Sequence, residues 1–280
     1  MPNGSGERCV HRVARRRLMR WLMSGLMWLP TVAVATHAAS AQASGAGGGA
    51  ARTFELRPRE GLVRQFGDGY RRHLDWHRRA GERWVWYLWQ VVDGDRAGLL
   101  VDGTFGRTWG DFDAAVDPAG DAADNAVNVE PYVVRAANQA WRSRPDLGGR
   151  PVDLEAAPFG VRTEYRVRPG AEASFVAALR RLRVASGVRA YAVYELVSGG
   201  DSPTYVLWVP ARTWAAVADA AELAAVIGGG GRRDTRTHYA LTEASQQVRR
   251  ELWRFRPDLS ICRAPAAGCH RTLEAGPGGR

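Results

Sequence analysis

A chain of 280 residues with 45 % apolar and 24 % charged side chains has the composition of a globular protein, long enough for one or two cores. All 39 basic residues are arginine, which excludes lysine Schiff-base chemistry, a Walker-type phosphate loop and a kinase-type ATP lysine. The net charge of +10 carries no nucleic-acid signature: six arginines against Glu7 fall within the first 43 residues, and the others are scattered among carboxylates, without basic blocks or an aromatic nucleic-acid motif.

Residues 1–43 read as an export signal. An arginine-rich stretch ends at Arg20, an apolar run follows from Trp21 to about Val34, and Ala39-Ser40-Ala41 or Ala41-Gln42-Ala43 offers the cleavage site. Arg15 to Arg20 has the outline of a twin-arginine signal, but arginine is common throughout, so ordinary secretion is preferred. The expected address is the periplasm or the medium, with no membrane attachment after cleavage. Residues 44–51 (SGAGGGAA) read as a flexible linker.

From there the elements alternate. Phe54 to Arg57 predicts a strand ended by Pro58. Glu60 to Ala80 predicts a helix with Leu62, Phe66, Tyr70 and Leu74 on one stripe, weakened by Gly67 and Gly69. Trp84 to Val92 and Ala97 to Thr104 predict a hairpin around Asp93-Gly94-Asp95, followed by a short helix over Thr108 to Val116. Asp117 to Asp124 reads as a polar connector, and Trp141 to Arg144 as the closing strand. Later signals repeat this order: a strand at Tyr165 to Arg168, a helix over Ala171 to Leu182, a hairpin of Ala190 to Val197 and Thr204 to Val209, a helix over Trp214 to Ala225, a Gly228 to Gly231 loop, and a strand at Val248 to Arg256.

The repetition extends to residues. Trp84–Phe112 laid over Arg189–Val217 shares six of 29 positions, including Arg107-Thr108-Trp109 with Arg212-Thr213-Trp214. Arg57-Pro58 recurs as Arg168-Pro169, and the Trp141–Leu147 stretch recurs as Trp253–Leu259. The expected organisation is therefore a repeat over 52–147, a linker over 148–162, a second repeat over 163–259, and a tail over 260–280. Cys262 and Cys269 in that tail predict a disulfide in an oxidising compartment.

Each copy reads as βαββαβ, a ferredoxin-like unit whose antiparallel sheet has one face under helices. Two such sheets in one chain can cover each other. The expected fold is α+β, an intrachain pseudo-dimeric barrel with helices outside and a lumen inside, made by a monomer. Arg168-Pro169-Gly170, the helix through Phe175, the hairpin at Gly199-Gly200 and the helix entered at Trp214 resemble the dimeric α/β-barrel superfamily, within it the NIPSNAP and antibiotic-biosynthesis-monooxygenase-like domains. The resemblance implies small apolar or aromatic ligands held between sheet and helices; some members are cofactor-free oxygenases and some hold haem.

Three features carry candidate chemistry. His73 and His77 sit four residues apart on one helix face, the spacing of a metal pair, or of two polar residues at the core edge; His238, Asp111 or Asp113 stand as possible third ligands. Trp84, Trp86, Tyr87 and Trp89 alternate across a strand, with Arg189, Tyr191, Ala192 and Tyr194 as counterparts. Gln90 and Glu195 share the parity of Trp86 and Tyr191, so Trp86, Gln90, Tyr191 and Glu195 are the expected ligand-binding set, with Glu195 or His77 as candidate base. Asp102 lies mid-strand where the second copy has Leu207. The run Asp111, Asp113, Asp117, Asp121 and Asp124 lacks a calcium-loop pattern and reads as a solvated loop. The expected function is an exported protein binding a small apolar or aromatic ligand between its sheets, with no cofactor. The alternative is a cofactor-independent monooxygenase, or a haem- or metal-linked enzyme, on the same scaffold.

Overall fold

The computed structural model describes residues 49–186, 189–223, 235–263 and 269–271. The expected export signal and the Gly228 to Gly231 loop lie outside the described residues. The chain divides into two units, Met1–Gln42 and Ala43–Arg280, and every strand and helix named below belongs to the second.

Eight strands close a barrel: β1 (Ala50–Pro58), β2 (Tyr87–Val91), β3 (Leu100–Arg107), β4 (Val133–Ser143), β5 (Phe159–Val167), β6 (Ala192–Ser198), β7 (Thr204–Ala211) and β8 (Ser245–Phe255). Their order around the barrel is β1-β3-β2-β8-β5-β7-β6-β4. All neighbours are antiparallel. The two closures bring Val91 opposite Trp253 and Ser143 opposite Tyr194. A closed barrel leaves no exposed edge for another chain to pair with.

Outside lie α1 (Val63–Arg79), α2 (Trp109–Asp113), α3 (Pro118–Asn128), α4 (Glu172–Ser186), α5 (Trp214–Ala221) and α6 (Thr235–Glu243). The stripe expected on the first helix buries Phe66, Tyr70 and Leu74, while Leu62 serves as the residue before its first turn. Gly67 and Gly69 leave α1 continuous. Gly69 has a packing reason, because a Cβ there would strike the Asn128 carbonyl at the end of α3.

Two helices escaped the sequence reading. Asp117 to Asp124, expected as a connector, opens α3. Asp117 takes a left-handed φ of 40° and its side chain accepts from Gly120 N at 3.0 Å, with Pro118 in the first turn. An N-cap followed by proline is a helix start, obscured in sequence by a polar, alanine-rich face that buries little. The other missed helix is α6. Thr108 and Thr213, of the shared Arg-Thr-Trp, are the N-caps of α2 and α5, accepting from Asp111 N and Ala216 N, each at 3.2 Å. Capping accounts for the shared threonine, while Trp109 and Trp214 remain 43 % and 56 % exposed, the latter with its ring 5.0 Å from Phe159. Cys262 and Cys269 form a disulfide, with Cα atoms 5.9 Å apart.

The sheet has two apolar faces. On the outer face, Phe66, Tyr70 and Leu74 of α1 pack on Leu56, Leu88 and Leu100 of the sheet, and Phe175, Leu179 and Leu182 of α4 pack on Tyr165, Tyr205 and Leu207. The lumen is filled by Tyr87, Trp89, Trp208, Trp253 and Phe255, continued by Trp141 and Leu196. Gly160 of β5 makes the room: the space its Cβ would take is occupied by the Trp208 indole. A cavity of about 40 Å³ remains in the lumen, a few waters' worth, which does not admit a whole aromatic ligand between the sheets.

Candidate metal centre

The i, i+4 spacing of His73 and His77 on α1 brings their Nε2 atoms to 3.2 Å. The third group is Asp121 of α3, whose Oδ1 lies 3.4 Å from His73 Nε2 and 3.6 Å from His77 Nε2. None of the third ligands expected from sequence takes this place. Asp111 is spent capping α2, accepting from Thr108 N at 2.7 Å, Asp113 is exposed, and His238 belongs to α6. Asp121 comes from the run read as a solvated loop. Helix α3 turns that run into a face that meets α1, and Gly69 with Gly120, where a Cβ would strike Asp117 and Trp76, allows the close approach.

The outer nitrogens are held as well. His73 Nδ1 lies 2.9 Å from Asp124 Oδ1, and His77 Nδ1 contacts Glu82 Oε2. A carboxylate on the outer ring nitrogen fixes the imidazole so that the other nitrogen faces the centre. Both histidines and Glu82 are buried. Burial lowers the His73 pKa, helped by the charge of His77 and opposed by Asp124 and Asp121; the net shift is downward. Burial pulls His77 down too, but Glu82 outweighs it, with Asp121 and Asp102 adding to the rise.

These side chains open on a cavity of about 80 Å³ whose wall includes Phe54, Tyr70, Trp86, Asp102 and Arg135. The Trp86 ring stacks on His77 at 5.4 Å. Asp102 has a buried Oδ1 without a hydrogen-bond partner. Its pKa is pushed up to about 7 by burial, against the lowering bond from Tyr70 and the charge of His77. The apolar wall that binds the pocket to the sheet therefore carries one carboxylate with an oxygen to spare.

The ligand-binding set expected from sequence does not converge. Trp86 and Gln90 share one face and Tyr191 and Glu195 share theirs, as parity requires, but that face is the helix side; the lumen takes Tyr87, Trp89 and Tyr194 instead. The reason is that α1 and α4 lie against the face that carries Trp86 and Tyr191. Trp86 joins the histidine pocket. The Gln90 side chain accepts from Arg256 at 3.4 Å. Tyr191 is buried near Leu147 in the second half. Glu195 accepts from Arg144 at 2.8 Å and Arg142 at 3.4 Å, an ion pair rather than a free base.

Haem, raised by the resemblance, does not fit here. The two Nε2 atoms face one another and Asp121 rather than a slot, and the cavity of about 80 Å³ is far below the roughly 300–1,000 Å³ of pockets for larger organic ligands. A single ion does fit.

No protein-family profile matches the sequence, and no curated protein matches it. Solved structures do match in shape. A proposed monooxygenase from Fusobacterium nucleatum superposes with a TM-score of 0.51 at 10 % identity, over 75 % of this chain and 94 % of its own. A mutant chlorite dismutase from Candidatus Nitrospira defluvii gives 0.51 at 9 %, over 75 % and 93 %. A proposed monooxygenase from Lactobacillus acidophilus gives 0.50 at 9 %, over 75 % and 94 %. At such identities the likeness is one of fold: the chain shares the mixed α+β, eight-stranded antiparallel architecture of the dimeric α/β-barrel proteins.

Proposed function

We propose that the chain is a metalloprotein whose His73, His77 and Asp121 hold one zinc-type divalent ion, leaving a coordination position open to the pocket beside Asp102. One observation carries this reading: the three donor atoms stand 3.2, 3.4 and 3.6 Å apart. Donors about 2.0–2.1 Å from a tetrahedral ion stand about 3.3–3.4 Å from one another. Two histidines and a carboxylate with a free fourth position form a catalytic rather than a structural pattern. Such an ion supplies Lewis acidity at the open position. The chain's own groups orient the ligands through Asp124 and Glu82, exclude water with Trp86, Phe54 and Leu56, and offer Asp102 to hold a proton.

The test is metal analysis of the purified protein, followed by zinc titration and cobalt(II) substitution. The expected result is one ion per chain and the strong visible absorption of four-coordinate cobalt. Absence of stoichiometric uptake overturns the reading.

The two halves are read as tandem copies of one βαββαβ unit. Supporting this, strands β4-β1-β3-β2 and β8-β5-β7-β6 run in corresponding order around the barrel, and Thr108 and Thr213 are equivalent caps. The narrower NIPSNAP-like reading rests on the Arg168-Pro169-Gly170 and Trp214 motifs. Export to an oxidising compartment is supported by the disulfide. A monomer is supported by a barrel that closes within one chain.

A further inference from the structure

The lumen holds a second constellation, on the sheet face opposite the histidines. Arg162 of β5 has a side chain only 4 % exposed, and its Nη2 donates to Glu164 at 2.6 Å. Its guanidinium centre lies 5.1 Å from the Trp253 ring and 5.8 Å from the Trp141 ring. Nη1 is buried and has no hydrogen-bond partner. Glu251 lies 4.0 Å from Nη1, and its oxygens are taken by Arg96 and the Trp253 indole at 2.7 to 2.9 Å. A buried charged donor without an acceptor is costly and rare, so this position calls for an acceptor from outside.

Two cavities adjoin on this side of the lumen. The cavity of about 40 Å³ at Arg162 shares Phe105, Leu154 and Tyr194 with one of about 480 Å³ at the end of the barrel. The larger cavity has Tyr87, Phe105 and Tyr194 on its wall, and Arg150, Arg263 and Asp153 also line it. The inner space holds about three water-sized groups, the bulk of a carboxylate. The outer space takes an organic body. Glu251 is paired with Arg96, and Glu164 with Arg162 itself through Nη2, which leaves Arg162 Nη1 as a donor without a hydrogen-bond acceptor.

We propose that this end of the barrel binds a small organic carboxylate, its head on Arg162 Nη1 and its apolar or aromatic body against Tyr87, Phe105 and Tyr194. A guanidinium edge suits an anionic oxygen, and aromatic walls suit a planar body. The site is independent of the metal centre. It also relocates the ligand expected from sequence, from the space between the sheets to one end of the barrel.

The probes are phenylacetate and its uncharged counterpart phenethyl alcohol, titrated by calorimetry into the full-length protein. Phenylacetate is expected to bind about tenfold more tightly or better, the worth of one charged hydrogen bond. Arg162→Met removes that preference. Because this variant also strips Glu164 of its partner and can unfold the barrel, Leu154→Trp provides the second check. It adds bulk to the wall that the two cavities share without touching the ion pairs, and is expected to abolish phenylacetate binding while the protein stays folded by circular dichroism. Equal binding of acid and alcohol, binding of neither, or phenylacetate binding unchanged in folded Leu154→Trp overturns the proposal.

Discussion

The space between helices and sheet is built twice in this chain, once as a polar pocket and once as a packed core. In the first half, α1 presents Phe66, Tyr70 and His73. In the second, α4 presents Phe175, Leu179 and Leu182 at the same spacing. Opposite them on the sheet, Asp102 of β3 corresponds to Leu207 of β7, which is 2 % exposed and joins Leu182 in one cluster. The second half places the Phe175 ring 5.3 Å from Tyr165 and 5.1 Å from Tyr205. One scaffold thus tolerates both fillings. Burying two histidines and several carboxylates where leucines pack equally well costs stability, so the polar filling is what a ligand must justify.

The largest effect that can break this comparison is loss of a ligand. His77→Ala or Asp121→Ala should abolish stoichiometric zinc and weaken its Kd by more than about 100-fold, since even second-layer partners of metal ligands are worth about 10–100-fold. Zinc should raise the melting temperature of the parent protein and leave that of either variant unmoved. Next come the outer carboxylates. Asp124→Asn and Glu82→Gln keep the shape of the pocket but weaken the grip on Nδ1, and should each cost about 10–100-fold in zinc affinity. An unchanged Kd for both would show that these two carboxylates do not orient the histidines for the ion.

A third experiment turns the first half into the second. His73→Leu with Asp102→Leu reproduces the leucines of the other pocket. The double variant should lose metal yet gain about 1–4 kcal/mol in urea denaturation without metal, as replacements of buried ionic groups by packed apolar ones do. A loss of stability would mean that the polar network holds α1 to the sheet by itself.

Much of the scaffold was legible because repetition and periodicity are local. The hairpins, the α1 stripe and the Trp141/Trp253 correspondence all follow from short stretches. The site was only half legible. His73 and His77 announce themselves through one helix, whereas Asp121 and Asp124 reach them through the docking of α3. That helix lacks a buried face in sequence, and Gly69 gives no hint in advance that Asn128 will lie against it. Which face of β2 looks inward was also undetermined, because both faces are aromatic. Only the placement of α1 decides that Trp86 covers the histidines while Tyr87 and Trp89 fill the lumen.

The finest difference between the halves is one carboxyl group, and pH reads it. Burial raises the Asp102 pKa to about 7 from an ordinary 3.8. Between those values the folded protein holds a proton that the unfolded chain has released, so the contribution of Asp102 to stability falls as pH rises through that window and is least favourable above it. Asn imitates the protonated acid. Asp102→Asn should therefore stabilise metal-free protein more at pH 8 than at pH 5, by on the order of 1–3 kcal/mol, a shift of a few degrees. Zinc should shrink the difference, because a nearby dication favours the carboxylate and lowers its pKa. Thermal unfolding at both pH values, with and without zinc, measures this. A stabilisation independent of pH would show that Asp102 is already ionised at pH 5, and one indifferent to zinc would place the ion away from Asp102.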